Sequence, residues 1–273
     1  KPGKDYDLLY EAARCRQQAD WMVGMNLTRL YSKVYDRRLP VGRVQTPTVA
    51  LVVQRDREIA NFQPVKYYVV TADFGGFSGS AKVPTERQAE ELMERCRGAD
   101  GYVTRVTEKA VVKKPPELMD LTALQREANR LCGYTALETL DTLQQLYEAG
   151  LVTYPRTDSR YLTSDMAETA SCVIHLAANV PPFDGISNFF PLVETMISDK
   201  DVSDHHAIIP TMEIEKADIK ALPLGERNLF LLVCCKLLCA SAEPYVYEAV
   251  TATFDCGDHS FTAKGKRILS EGW

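Results

Sequence analysis

Strand-like sequence occurs at two widely separated places in this chain, and that separation constrains the fold more than any other feature. Tyr67-Tyr68-Val69-Val70-Thr71-Ala72 and Phe77 to Val83 are β-rich runs divided by Gly75-Gly76, as in a hairpin, and Tyr102 to Val112 alternates like a third strand. The same character returns only at Tyr245 to Phe254 and Phe261 to Ile268. A sheet interrupted by a helical insertion accounts for the return, which predicts a mixed α and β fold.

Helical periodicity fills the rest. From Tyr6 to about Tyr35, Leu8, Ala12, Cys15, Ala19 and Met22 recur at steps of four and three, predicting one buried stripe on a long helix. Arg37-Arg38-Leu39-Pro40 ends it. Thr46-Pro47 reads as an N-cap followed by proline at the first helical position, opening a second helix to about Ala60 that buries Val49, Val52, Val53 and Ile59. Thr85 with Gln88 forms a capping-box pattern before a helix to about Arg97. Lys113-Lys114-Pro115-Pro116 reads as a hinge or linker. Helices are expected at 121 to 132 and 136 to 149, the second capped by Thr135 and Glu138 and ended by Gly150, with a strand from Leu151 to Arg156 after them. Helix, helix, strand in that order resembles a winged-helix unit. Further helices are expected near 164 to 180 and from 225 to 241.

At 273 residues, 45% hydrophobic, the chain is long enough for two or three subdomains. No apolar run reaches the roughly 18 residues of a membrane span, and the start, Lys1-Pro2-Gly3-Lys4-Asp5, is neither a signal peptide nor an anchor, so a soluble intracellular protein is expected. The eight cysteines form no Cys-x-x-Cys pair, and Cys234, Cys235 and Cys239 lie in an apolar run. They read as reduced core thiols rather than zinc ligands or disulfides. A net charge of -5 argues against a generally polycationic binder. Residues 1 to 45 nevertheless carry nine Lys/Arg against five Asp/Glu, so a confined basic surface remains possible.

Reactive and phosphate-binding side chains concentrate in Thr153-Tyr154-Pro155-Arg156-Thr157-Asp158-Ser159-Arg160. A tyrosine hydroxyl is a poor nucleophile at neutral pH unless a cation or base favours its oxyanion. Arg156 is a candidate cation, and two residues along an extended chain put both side chains on one face, where a guanidinium also grips a phosphodiester. This suits phosphoryl transfer to Tyr154; a surface strand end with an ordinary turn is the plain alternative. His205 and His206 point oppositely if extended, which disfavours a shared metal. One histidine donating to a phosphate oxygen or moving a proton competes with a half-buried, hydrogen-bonded one. Gly42-Arg43-Val44-Gln45-Thr46 precedes a helix N-terminus, where free N–H groups attract phosphate. Arg16 and Asp20 are either an i,i+4 surface pair or an arginine held by its carboxylate for a nucleic-acid strand.

Taken together these motifs resemble the type IA DNA topoisomerase family, nearest its topoisomerase III branch, almost end to end. Arg16 to Asp20 with Gly24, then Gly42-Arg43-Val44-Gln45-Thr46-Pro47-Thr48 with Arg55-Asp56-Arg57-Glu58-Ile59, resemble the family's first nucleotide-contacting segment. Leu146 to Ser159 is similar to its active-site signature, and His205-His206-Ala207-Ile208-Ile209-Pro210-Thr211 to its third block. The resemblance implies Tyr154 as the nucleophile that forms a 5'-phosphotyrosine link, Arg156 as its cationic partner and His205 at the scissile region. It implies a single-stranded DNA groove lined by Arg16, Asp20, Gly42, Arg43, Gln45 and Thr46. It implies a torus with a β-rich arch at 62–113 and 246–273, an inserted gate domain at 114–245 carrying Tyr154, and part of a helical base at 1–61.

The implied partners are single-stranded and negatively supercoiled DNA, in the bacterial cytoplasm at the nucleoid. The implied cofactor is magnesium, held by a Toprim domain of the parent chain. No Asp-x-Asp-x-Glu run occurs here; Asp199-x-Asp201-x-Ser203 is nearest. No metal site is expected in these residues, which read as a central fragment of a larger enzyme, inactive alone in relaxation. The competing readings are a noncatalytic winged-helix DNA-binding protein and an interaction scaffold.

Overall fold

The computed structural model describes residues 2–186 and 190–273, so Lys1 of the opening run lies outside the described residues. The chain divides into two compact units, residues 1–67 and 68–273.

In the first unit a short 3-10 turn, Gly3–Tyr6, runs into α1 (Asp7–Val34), and α2 spans Gln45–Ala60. The connection folds back on α1. Val41 N donates to Thr28 Oγ1 at 2.9 Å, and Leu39 N donates to Ser32 Oγ at 2.9 Å. Gly24 faces this return, where a Cβ would make ordinary contact with Val41 O at 3.7 Å. The two expected buried stripes are not buried: Leu8 is 87% exposed, Met22 57% and Ile59 62%, and neither helix buries any residue. An apolar stripe demands a covering layer, and two helices with one connection do not supply it. Nor is Thr46 the N-cap. The helix starts at Gln45 after Val44, and Thr46, inside the first turn, uses its Oγ1 to accept from Gly42 N at 3.1 Å.

The second unit contains the sheet and the remaining helices. Its strands are β1 (Tyr68–Asp73), β2 (Ser78–Val83), β3 (Tyr102–Lys113), β4 (Tyr245–Cys256) and β5 (His259–Ser270), antiparallel in the order β1-β2-β5-β4-β3. β3 and β4 pair from Tyr102↔Asp255 to Lys113↔Tyr245. The intervening helical segment therefore leaves and re-enters the sheet at directly opposed residues, which is the interrupted sheet expected from the sequence. On one face α3 (Glu86–Cys96) packs Leu92 over Val70, Phe254 and Phe261. Thr85 Oγ1 caps α3 by accepting from Gln88 N at 3.3 Å.

A second core lies in the insertion, among α4 (Leu121–Cys132), α5 (Ala136–Glu148), α6 (Ala167–Ala178) and α7 (Leu224–Ala240). Leu124, Leu143, Leu146, Leu229, Phe230 and Leu237 are at most 1% exposed there. Asp120 caps α4, the Thr135–Glu138 capping box of α5 forms in full, and Gly150 takes the left-handed φ of 75° that stops α5. The expected strand at 151 to 156 is absent. Only isolated bridges form, Val152↔Pro210 and Met119↔Ile208, because Pro155 and Pro210 lack the N–H groups that would extend a ladder. The winged-helix resemblance therefore ends with its helices. Of the cysteines, Cys234 and Cys256 are buried and Cys15 and Cys172 exposed, so the expectation of core thiols holds only in part.

Candidate active site and nucleic-acid interface

Hydrogen bonding sorts the reactive run at 153–160 into scaffold and chemistry. Thr153 Oγ1 donates to Ala207 O at 3.1 Å and accepts from Ile209 N at 3.0 Å. Thr157, buried, donates to His205 O at 2.9 Å and accepts from Ser159 N at 3.1 Å. Ser159 Oγ donates to Asp201 O at 2.9 Å. Arg160 is held by two carboxylates, Asp120 Oδ2 at 2.7 Å and Glu117 Oε2 at 3.2 Å. These four side chains stitch the loop to Asp201, to the 205–211 segment and to the residues that lead into α4. Tyr154 and Arg156 take no part in that stitching.

Tyr154 is half-buried, its ring 5.6 Å from that of Tyr147 at an 83° interplanar angle and 4.3 Å from that of His205. Arg156 is exposed and donates from Nη1 to the neutral Gln144 Oε1 at 3.0 Å. Among the described residues no carboxylate makes an ion pair with it. Arg156 and His205 also line one cavity of about 580 Å³ with Thr122, Asp158 and Asp204. The three sequence-derived candidates thus gather at one place, although by a route the sequence did not indicate. The chain bends at 155–156, and it is α5 that receives both side chains, Tyr154 on Tyr147 and Arg156 on Gln144. Gln144 and Tyr147 were not singled out from sequence; their i,i+3 spacing on the helix just before the tyrosine is the signal that could have found them. His206 Nδ1 lies 2.9 Å from Ala207 O.

In the first unit Asp20 does not hold Arg16. It accepts from Arg43 Nε at 2.5 Å, across the turn before α2. That guanidinium holds the Asp20 carboxyl below its ordinary range, with a smaller contribution from Arg16. Arg16 and Asp20 line a shallow cavity of about 490 Å³ with Leu9, Ala12, Ala13 and Gln17. Gly42 lies against the Gln45 side chain, where a Cβ would be 3.0 Å from Gln45 Nε2. Arg16, Asp20, Gly42, Arg43, Gln45 and Thr46 therefore converge on the α2 N-terminus and the α1 face beside it.

A cationic surface comes from sheet register. Arg105, Lys109 and Lys113 of β3 share a face with Thr253, Ala249 and Tyr245 of β4, and the β4 residues Thr251 and Ala249 lie opposite Lys264 and Lys266 of β5. Lys266 Nζ donates to Tyr245 Oη at 3.1 Å, and Lys113 Nζ lies 5.8 Å over the Tyr247 ring. On the other face Arg267 pairs Glu248 at 2.7 Å.

Magnesium does not fit the residues present. Among the described residues no group of three or more His, Cys, Asp and Glu side chains converges. The nearest acidic run is otherwise engaged, Asp199 Oδ1 accepting from Ser164 N at 2.7 Å and Asp201 Oδ2 from Ser198 Oγ at 2.6 Å. No helix among the described residues is long and apolar enough to cross a membrane.

The DNA topoisomerase family matches residues 4–273, and the chain belongs to that family. It is similar to DNA topoisomerase 3 of Bacillus licheniformis and of Bacillus subtilis, each 36% identical over the whole chain, and to that of Shouchella clausii at 38%. The chain spans 39% of the length of each of these relatives. Among solved structures, full-length topoisomerase I from Thermotoga maritima superposes with a TM-score of 0.71 at 26% identity, covering 94% of this chain and 43% of that one.

Proposed function

We propose that this chain carries the strand-cleaving tyrosine of a type IA topoisomerase, and that Tyr154 is its nucleophile. Tyr154 Oη attacks a DNA phosphorus, the bond to the 3'-oxygen breaks, and a 5'-phosphotyrosine link and a free 3'-hydroxyl result. Attack by that hydroxyl reverses the exchange and reseals the strand after a second strand has passed. One phosphodiester replaces another, so no nucleotide energy source is consumed. Catalysis is then mainly positioning and charge stabilisation. Arg156 offsets charge on the phosphate and favours the tyrosyl oxyanion. His205, against the Tyr154 ring, donates to a phosphate oxygen or moves the proton that leaves Oη.

In this reading Arg16, Asp20, Gly42, Arg43, Gln45 and Thr46 line the single-strand groove, and the cationic sheet face contacts DNA phosphates elsewhere. Residues 62–113 and 246–273 serve as the arch and 114–245 as the gate. Magnesium belongs to a Toprim domain of the longer protein. The substrate is negatively supercoiled DNA in the bacterial cytoplasm.

The observation that carries the proposal is the placement of Tyr154, half-buried between Tyr147 and His205, two residues from an arginine without a carboxylate partner. The test is Tyr154→Phe in the full-length protein, which keeps the ring contacts and removes the hydroxyl. Loss of the covalent protein–DNA adduct with folding unchanged is expected. An undiminished adduct refutes the assignment and favours a noncatalytic DNA-binding role. Residues 1–273 alone leave a supercoiled plasmid unrelaxed.

A further inference from the structure

Two thiols from distant parts of the sequence meet at the edge of the sheet core. Cys96 is the last residue of α3 and Cys256 the last of β4. Cys96 Sγ donates to Cys256 O at 3.3 Å, and Cys256 Sγ lies 4.0 Å from Cys96 O and 3.8 Å from Ala99 O. Each thiol thus sits against the other residue's backbone. The turn that follows is shaped to admit them, since Gly257 has φ 55° and a Cβ there would lie 3.0 Å from Cys96 Sγ. Both cysteines also line a cavity of about 340 Å³ with Phe74, Met93 and Phe261. Cys96 is half-buried and Cys256 buried, so one thiol is open to reagent and the other waits behind it.

We propose that Cys96 and Cys256 form a disulfide when the protein meets a small-molecule disulfide of the glutathione class. The Cys96 thiolate attacks the reagent, forming a mixed disulfide and releasing one reagent thiol. The Cys256 thiolate then attacks the Cys96 sulfur and expels the second. Both cysteines are oxidised, the reagent disulfide is reduced to two thiols, and the two cysteine protons end on those thiols. The bond ties the C-terminus of α3 to the β4–β5 turn across a sequence separation of 160 residues. A link closing so long a loop removes much denatured-state freedom and raises stability. Burial, reinforced by the hydrogen bond with Cys256, pushes the Cys96 thiol up, so the first step is slow at neutral pH and accelerates in mild alkali.

The experiment treats the full-length protein with oxidised glutathione at neutral and mildly alkaline pH and maps disulfides by peptide mass spectrometry, with a thermal melt in parallel. A peptide joining Cys96 to Cys256, a higher Tm and reversal of both by dithiothreitol are expected. Cys96→Ser should abolish the joined peptide and the Tm rise together. A glutathionyl group that persists on Cys96 while Cys256 stays a free thiol overturns the proposal, as does an unchanged Tm in protein shown to carry the cross-link.

Discussion

The rings of Tyr154 and His205 lie 4.3 Å apart, centroid to centroid, tilted by 38°. Thr157 fixes the other end of that relationship through its bond to His205 O. Removing the imidazole leaves the nucleophile and Arg156 in place but deletes a donor at the phosphate or a proton carrier. His205→Ala in the full-length protein is therefore expected to lower the cleavage rate by about 10²-fold while the covalent adduct still forms. Single-turnover cleavage of an end-labelled oligonucleotide measures this. A rate within about twofold of wild type, on the same scale, would show that His205 only packs against the tyrosine.

Asp20 makes Arg43 conditional on pH. Its carboxyl is held low by the Arg43 hydrogen bond, so the ion pair is present at neutral pH and is lost as pH falls through that depressed value. Protonation removes a negative charge from a groove proposed to receive phosphates, so single-stranded DNA affinity should rise as pH falls below the ordinary carboxylate range. Asp20→Asn should show the higher affinity already at neutral pH and lose that acid-side rise. Arg43→Ala should weaken binding and reduce the slope of log affinity against log salt by about 1. Fluorescence anisotropy across pH and salt decides it, and an identical pH profile in Asp20→Asn would remove Asp20 from the groove.

Local patterns with a local cause were legible in the sequence. The capping box at Thr135, the stop at Gly150 and the hairpin at Gly75-Gly76 follow from side chains within a few positions of each other. The interrupted sheet was legible because period-two alternation stops and resumes. Burial on α1 and α2 was not, since a stripe shows that a helix needs a partner and not whether residues 1–67 contain one. The sequence singled out residues that the structure brings together, and not how they are wired. Nothing near Arg16 and Asp20 reveals that Asp20 binds Arg43, and the extended 154–156 segment expected from the sequence is absent, because the bend at 155–156 turns Tyr154 and Arg156 toward α5.

The sheet face bearing Arg105, Lys109, Lys113, Lys264 and Lys266 gives a control within the same strands. Lys109 and Lys266 flank Ala249 on that face, whereas Arg267 lies on the opposite face, paired with Glu248. Replacing Lys109 and Lys266 together by Ala should reduce the salt slope of DNA binding by about 2 with no change in sequence preference. Arg267→Ala should leave the slope unchanged. Equal effects of the two changes would mean that net charge, and not this face, governs binding.

Stability tests the difference between the buried and the uncovered apolar faces. Leu143 is fully enclosed in the helical core, and truncating it leaves a cavity that neighbours at native packing density fill only in part. Leu143→Ala is expected to cost about 2–5 kcal/mol. Leu8, equally apolar and also helical, is 87% exposed. Leu8→Ala should change stability by no more than about 0.5 kcal/mol in residues 1–273. Urea titrations with unchanged m-values make the comparison directly. In a longer protein that supplies a layer over α1, the Leu8 cost should climb toward that of a core leucine. Equal and small costs for Leu8→Ala in both contexts would show that the stripe on α1 has no partner to bury it.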